Sequence, residues 1–418
     1  MIYIPVVYFS CLSLILYKNN RRVDIATIIA MIFAVSGLFS VLLDINNYRD
    51  FDTVHYQISF IPAFLYCFLL TLCIIPISSC NIINRTNISP VKNVKLIKLI
   101  SVVAVIWFVL TLILGGDTLA YVLTGDMKEI RGDIYRGFGV GESWMSKLPT
   151  PLRLLFAILN LTFGCPWILL FLGFYTMIGD KVPLKYSYFL LFASLSGPVH
   201  GIMGADRSAT AYWIIAAITL YVLFQRQLPI KVRKQLSLLG LVVLIALIAY
   251  LTAMTISRFG EGKTEYGALG SLIPYFGQSY INFCYFFDNY NLPYHHFGII
   301  FPFTSEYLLN IPSGGTVIQA EMTKLSHIET GVFYTFIGQI IVGIGQFWAI
   351  FVTLIYAFCS FITLGKIKRK PKIDIGAVYV YYAFASIILL GIFVHYYASP
   401  AKTFSLVSMY FIVKLLRR

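Results

Sequence analysis

The chain has 418 residues, 59% hydrophobic and only 12% charged, with a mean hydropathy of +0.80. Soluble globular proteins carry about twice that charged fraction, so this composition describes a polytopic membrane protein with no polar stretch long enough for a separate soluble domain. The net charge of +14 does not indicate a nucleic-acid partner, because the cations fall in short loops between apolar runs, where they act as an orientation signal.

Met1-Ile2-Tyr3 lacks a cationic lead-in and no small-residue cleavage pattern follows Tyr17, so the first apolar run reads as a retained helix. Apolar windows predict helices near 2–17, 23–43, 58–79, 97–114, 152–177, 186–201, 207–224, 236–256, 346–364, 375–394 and 402–416. The expected fold is therefore all-α, a single membrane domain over 1–418 with about eleven spans. A rival topology has thirteen, with 268–290 and 331–345 also crossing. One set of loops, from Lys18 to Arg418, holds 21 of the 32 basic residues but only Asp24, Asp180 and Asp374 among the acids. The positive-inside rule places those loops in the cytoplasm, with the C-terminus, and the N-terminus outside. The thirteen-span topology would put Glu306, Glu321 and Glu329 on the basic side, against that rule.

Two long loops are expected outside, at 115–151 and 257–345. The first interleaves acids with cations that include Arg131 and Arg136. The second has 14 aromatic residues in the 42 positions from Tyr266 to Tyr307, Tyr280 among them, a density that suits interfacial helices or sugar stacking. Gly331–Gly345 is apolar but too short to span comfortably, so it reads as re-entrant or as the outer part of a helix ending near Gly365. Gly137-Phe138-Gly139-Val140-Gly141 follows no strand, so it is not a nucleotide-cradling loop. The seven cysteines form no CxxC pair and lie mostly in apolar spans, so neither disulfides, nor a metal site, nor a cofactor is expected.

The run Tyr186 to Phe224 is 39 residues long, about twice one span, and breaks at Gly204-Ala205-Asp206-Arg207. An arginine at membrane depth costs several kcal/mol and marks a functional site by default, although an interfacial anchor paired with Asp206 would also account for it. Arg258 closes a later span on the same predicted side. Two arginines at one membrane surface could grip a lipid-linked phosphate or pyrophosphate through their guanidinium forks. A group transfer would also need a base, for which Asp206, Glu261, His295, His296, His327 and Glu329 are open choices.

The arginine after a small-residue turn (GADRSATAYW), the arginine in SRFG, the aromatic GQSYINFCYF stretch and GVFYTFIGQIIVGIG before the last helices resemble the bacterial O-antigen and capsule repeat-unit polymerases, the Wzy class. The resemblance implies an inner-membrane glycosyltransferase of the GT-C-like plan with its site facing the periplasm. The implied reaction moves a growing glycan from undecaprenyl pyrophosphate onto an incoming lipid-linked repeat unit. It needs no metal, and a chain-length regulator is an expected partner beside membrane lipid. Arg207, Arg258, Tyr280, Arg131 and Arg136 are then the expected substrate contacts, and Asp206, His327 and Glu329 the expected catalytic groups. Two other classes stay open. A lipid-linked oligosaccharide flippase would be equally apolar and basic, but no internal repeat of the kind common in transporters is visible. An O-antigen ligase would share the leaving group and differ in its acceptor.

Overall fold

The computed structural model describes residues 1–49, 53–80, 82, 88–125, 148–179, 181–204, 206–259, 272–291, 297–300 and 315–417. The described chain is helical, and its one β pairing is an isolated parallel bridge between Ile88 and Ile373. Among the described residues seven helices are long and apolar enough to cross a membrane, or eight if one bent pair counts as a span. The protein is thus membrane-embedded and helical. In a bilayer this follows from the backbone, since a helix satisfies every N–H and C=O within its own segment.

The expected windows at 23–43, 58–79, 97–114, 207–224, 236–256, 346–364 and 375–394 each correspond to one such helix, and those at 2–17 and 402–416 to the helices Ile4–Asn20 and Pro400–Arg417. Others differ. The 152–177 window is two helices, Thr150–Phe163 and Pro166–Thr176, bent by 65°. The 186–201 window is also two short helices, Leu184–Ala193 and Ser196–Met203. Gly331–Gly345 contains a separate ten-residue helix, Thr335–Ile344, which Gly345 divides from Gln346–Lys368 by adopting φ 85°. A glycine occupies that left-handed region without a Cβ penalty.

By its packing the chain divides into two compact units. The first comprises Met1–Asn84, Gly270–Pro371 and Val380–Thr403. Small residues let its helices approach closely. A Cβ on Gly37 would lie 2.8 Å from the Val6 nitrogen, and one on Gly277 would lie 2.5 Å from the Phe39 carbonyl oxygen. At the second contact Ser36 and Ser40 donate to the carbonyls of Phe276 and Gly277 at 2.9 and 2.6 Å. Helices in lipid gain from such close packing and interhelical hydrogen bonds. The core is aromatic: Tyr66 meets Phe9, Tyr280 and Phe283 with ring centroids 6.1, 4.9 and 5.2 Å away. Asp24 caps Ile25–Ile45, accepting from the Thr27 amide and hydroxyl and from Asn20. Burial raises the pKa of its carboxyl nonetheless.

The buried Thr335–Ile344 helix is held by side-chain amides. Gln339 donates to the Ile299 carbonyl at 3.0 Å and accepts from the His395 amide at 2.7 Å. Asn282 donates to Phe333 O, and the amides of Tyr334 and Thr335 share Phe393 O. Non-helical backbone at such depth is tolerated when protein groups satisfy it in this way.

The second unit comprises Arg85–Leu269, Lys372–Tyr379 and Phe404–Arg418. Its bend at Gly164 and Cys165 is satisfied by Ser405, which accepts from the Cys165 amide at 3.2 Å and approaches the Leu161 and Thr162 carbonyls at 2.8 and 3.0 Å. Thr176 donates to Ser187 across the next pair of helices. A Cβ on Gly173 would meet Leu191 there at 2.7 Å.

Candidate functional site

The residues expected to act together are distributed over both units. Asp206, Arg207 and the backbone of Arg258 belong to the second; Tyr280, His327 and Glu329 belong to the first. Arg131, Arg136, Glu261, His295 and His296 lie outside the described residues, as does the side chain of Arg258 at the end of the Ile230–Phe259 helix.

In the second unit the expected hairpin is present. Ser196–Met203 ends at Gly204 and Arg207–Phe224 begins three residues later. The Asp206 amide donates to the Gly201 carbonyl at 2.8 Å. A Cβ on Gly201 would lie 2.8 Å from Asp206 O and 2.9 Å from the Ala209 Cβ, so the closure depends on glycine. The Asp206 carboxylate is the N-cap of Arg207–Phe224, accepting from the Ser208 amide at 2.8 Å and the Ser208 hydroxyl at 2.7 Å. Its observed work is capping, which typically contributes about 1 kcal/mol. Arg207 is only 8% exposed and donates through Nη1 to Thr255 Oγ1 at 3.0 Å. The Tyr250 hydroxyl, near the charges of Asp206 and Arg207, is buried without a hydrogen-bond partner. His200 Nε2 and Thr210 Oγ1 are buried and unpartnered as well.

The first unit contains a cavity of about 390 Å³ lined by Thr53, Gln278, Asn282, Tyr285, Phe286, Ile328, Glu329, Gly331, Val332 and Phe333. Its volume is at the lower end of small-molecule sites. Gln278, Asn282, Tyr285 and Phe286 follow the i, i+4, i+7, i+8 spacing of one helical face on Leu272–Asn289. Glu329 comes from the turn after Gly315–Ser326. Its Oε1 accepts the Gly331 amide at 2.7 Å, which orients the carboxylate while leaving the residue exposed to the cavity. A Cβ on Gly331 would come within 2.7 Å of that same oxygen.

Around Thr53, which lines the cavity, charged groups tie the chain down. Arg49 pairs with Asp44 at 2.6 Å and donates to the carbonyls of Thr53 and Tyr56 at 3.2 and 2.6 Å. Tyr56 and Ser59 donate to Asp288 Oδ2 at 2.7 and 2.9 Å. Burial, and then the hydrogen bond to the Asp288 carboxylate, hold the Tyr56 phenol well above its ordinary pKa. Next to the Thr335–Ile344 helix, whose Gln339 accepts from the His395 amide, burial alone lowers the His395 imidazole to about 4, and its Nδ1 is buried without a hydrogen-bond partner.

Of the expected site residues, Glu329 lines the cavity. His327, exposed at φ 57°, lies in the same turn but does not line it. Tyr280 is fully buried, packs on Tyr66 and donates to the Met1 carbonyl at 3.1 Å, so it belongs to the core. Sequence reasoning missed Gln278, Asn282 and Thr53 as cavity residues, although Gln278 and Asn282 fall within the same GQSYINFCYF stretch. Their spacing of four, with polar side chains in an aromatic helix, was the available signal. Among the described residues no group of three or more His, Cys, Asp or Glu is placed to hold a metal.

Chemically, the cavity combines a carboxylate that can accept a proton, amides that can bind hydroxyls and aromatic rings that can face sugar C–H groups. In comparisons with known proteins, no family model, no curated protein and no solved structure matches this chain.

Proposed function

We propose that the protein is a membrane glycosyltransferase of the GT-C-like plan that polymerises lipid-linked oligosaccharide repeat units, as its resemblance to the Wzy class suggests. The observation that carries the reading is the cavity of the first unit, where the Glu329 carboxylate shares a wall with Gln278, Asn282 and Tyr285. In the proposed step an acceptor-sugar hydroxyl attacks the anomeric carbon of the growing glycan. The new C–O bond forms as the bond to undecaprenyl pyrophosphate breaks, and the electron pair departs on the pyrophosphate oxygen. Glu329 takes the hydroxyl proton. In the second unit Arg207 is a separate candidate for recognising a phosphate anion, since guanidinium forks match phosphate oxygens. Its burial in a membrane protein supports a role beyond anchoring. The site would face the periplasm in the orientation that the basic loops favour.

The test is incubation of the purified protein with one lipid-linked repeat unit, followed by electrophoresis of the glycan. The expected product is a ladder, which Arg207→Ala and Arg258→Ala shorten or abolish. Transfer of a single unit to another lipid acceptor would make the protein a ligase. Translocation between vesicle leaflets without any transfer would make it a flippase.

A further inference from the structure

The second unit contains a pair of joined hollows that the proposed transfer does not use. One is an apolar cleft of about 530 Å³ among Pro166–Thr176, Leu184–Ala193, Arg207–Phe224 and Ile230–Phe259, with Phe174, Leu191, Trp213, Leu236 and Leu244 in its walls. Gly240 faces it, and a Cβ there would meet no atom within 4 Å. The other hollow, about 470 Å³, shares Tyr221, Ser237 and Leu241 with the cleft and adds Gln225, Arg233 and Lys234. Tyr221 and Ser237 hydrogen-bond at the junction, 2.6 Å apart.

Two observations identify an occupant. First, an 18-residue window within Ile230–Ile256 has a mean hydropathy of 2.6, yet only 11% of that window is buried within the protein; its apolar side chains need lipid to cover them. Second, the stretch from Gln225 to Gln235 contains Arg226, Lys231, Arg233 and Lys234 without one Asp or Glu. Among the described residues neither Arg233 nor Lys234 has an acidic partner. An apolar slot ending in unpaired cations complements a molecule with a hydrocarbon chain and an anionic head.

We propose that this cleft is a binding site for an anionic membrane phospholipid, with one acyl chain along Trp213 and Gly240 and the phosphate at Arg233 and Lys234. Basic residues at a bilayer surface attract anionic lipid in this way. The basic loops place the mouth on the cytoplasmic side. The inference does not depend on the proposed transfer.

Trp213 supplies the readout. The full chain is reconstituted in phosphatidylcholine vesicles containing a minor fraction of phosphatidylglycerol with brominated acyl chains, and tryptophan emission is recorded. Saturable quenching is expected, and Trp213→Phe should remove that component. Arg233→Gln with Lys234→Gln should weaken it about thirtyfold, the combined effect of two surface cations. Gly240→Leu, which enters open space and leaves the fold intact, should displace the chain and reduce quenching. Equal quenching by brominated phosphatidylcholine would overturn the proposal, as would quenching unchanged in the charge variant. Stronger competition by a polyprenyl phosphate than by phosphatidylglycerol would also overturn it.

Discussion

Glu329→Gln separates catalysis from architecture at the proposed site. Glu329 Oε1 accepts the Gly331 amide at 2.7 Å, and the amide oxygen of glutamine can accept the same hydrogen bond. Gly331 leaves room for that oxygen, because it has no Cβ to crowd it. The substitution therefore keeps shape, volume and the hydrogen bond to the Gly331 amide and removes the charge and basicity of the carboxylate. A positioned general base contributes about 10²- to 10⁴-fold to a rate, so the rate of ladder formation should fall by that factor. Thermal stability should change by less than about 0.5 kcal/mol, as for a surface substitution. Glu329→Asp should recover part of the rate, because it keeps the carboxylate but shortens its reach. The assay is the initial rate of repeat-unit consumption by purified protein, with unfolding measured on the same samples. A Glu329→Gln protein within threefold of the parent rate would remove Glu329 from the proposed chemistry.

Three further outcomes test the framework around the candidate sites. Gln339→Leu strips partners from the Ile299 carbonyl and the His395 amide; at about 1–3 kcal/mol for each buried unsatisfied group, unfolding in a denaturing-detergent titration should show a loss of 2 kcal/mol or more. Gly201→Val drives a side chain into Asp206 O and Ala209; overpacking of this kind costs about 1–3 kcal/mol, and proteolysis should begin at the 204–207 turn. The folded pKa of His395 lies near 4, below its ordinary value of 6.5, so the unfolded chain binds the extra proton first. Stability is then full above about pH 6.5 and falls by about 3 kcal/mol as the pH drops to 4. A His395→Phe variant compared with the parent at pH 7.5 and 4.5 should lack that difference.

The long apolar windows were legible because an uninterrupted run of about twenty apolar residues in a bilayer has helix as its only economical backbone. The breaks were partly legible. Pro166, which supplies no N–H to the preceding turn, was an available signal within the window read as one helix over 152–177, but the hydrogen bonds of Ser405 at the bend come from far away in sequence. The break near Ser194 precedes Pro198, which has no N–H to offer the Ser194 carbonyl. It is sustained by local hydrogen bonds such as those of the Leu195 and Gly197 amides, which apolar windows do not register. On Leu272–Asn289 aromatic density drew attention to Tyr280, whereas Gln278 and Asn282 line the cavity on another face. Density has no direction around a helix; polar spacing does. Glu329 was named among several bases, but the Gly331 amide that orients it became visible only once the turn had formed.

The bend at Gly164 has a consequence for biogenesis. Ser405, which satisfies it, lies 240 residues downstream of Cys165. At about 5–20 residues per second, the ribosome finishes that distance roughly 12 to 48 seconds after the bend has emerged. During this interval the Cys165 amide and the carbonyls of Leu161 and Thr162 have no partner from the C-terminal helix. The bend acquires these hydrogen bonds only when the end of the chain arrives. A nascent chain stalled before Ser405 should then show residues 150–176 in a different membrane disposition from the finished protein.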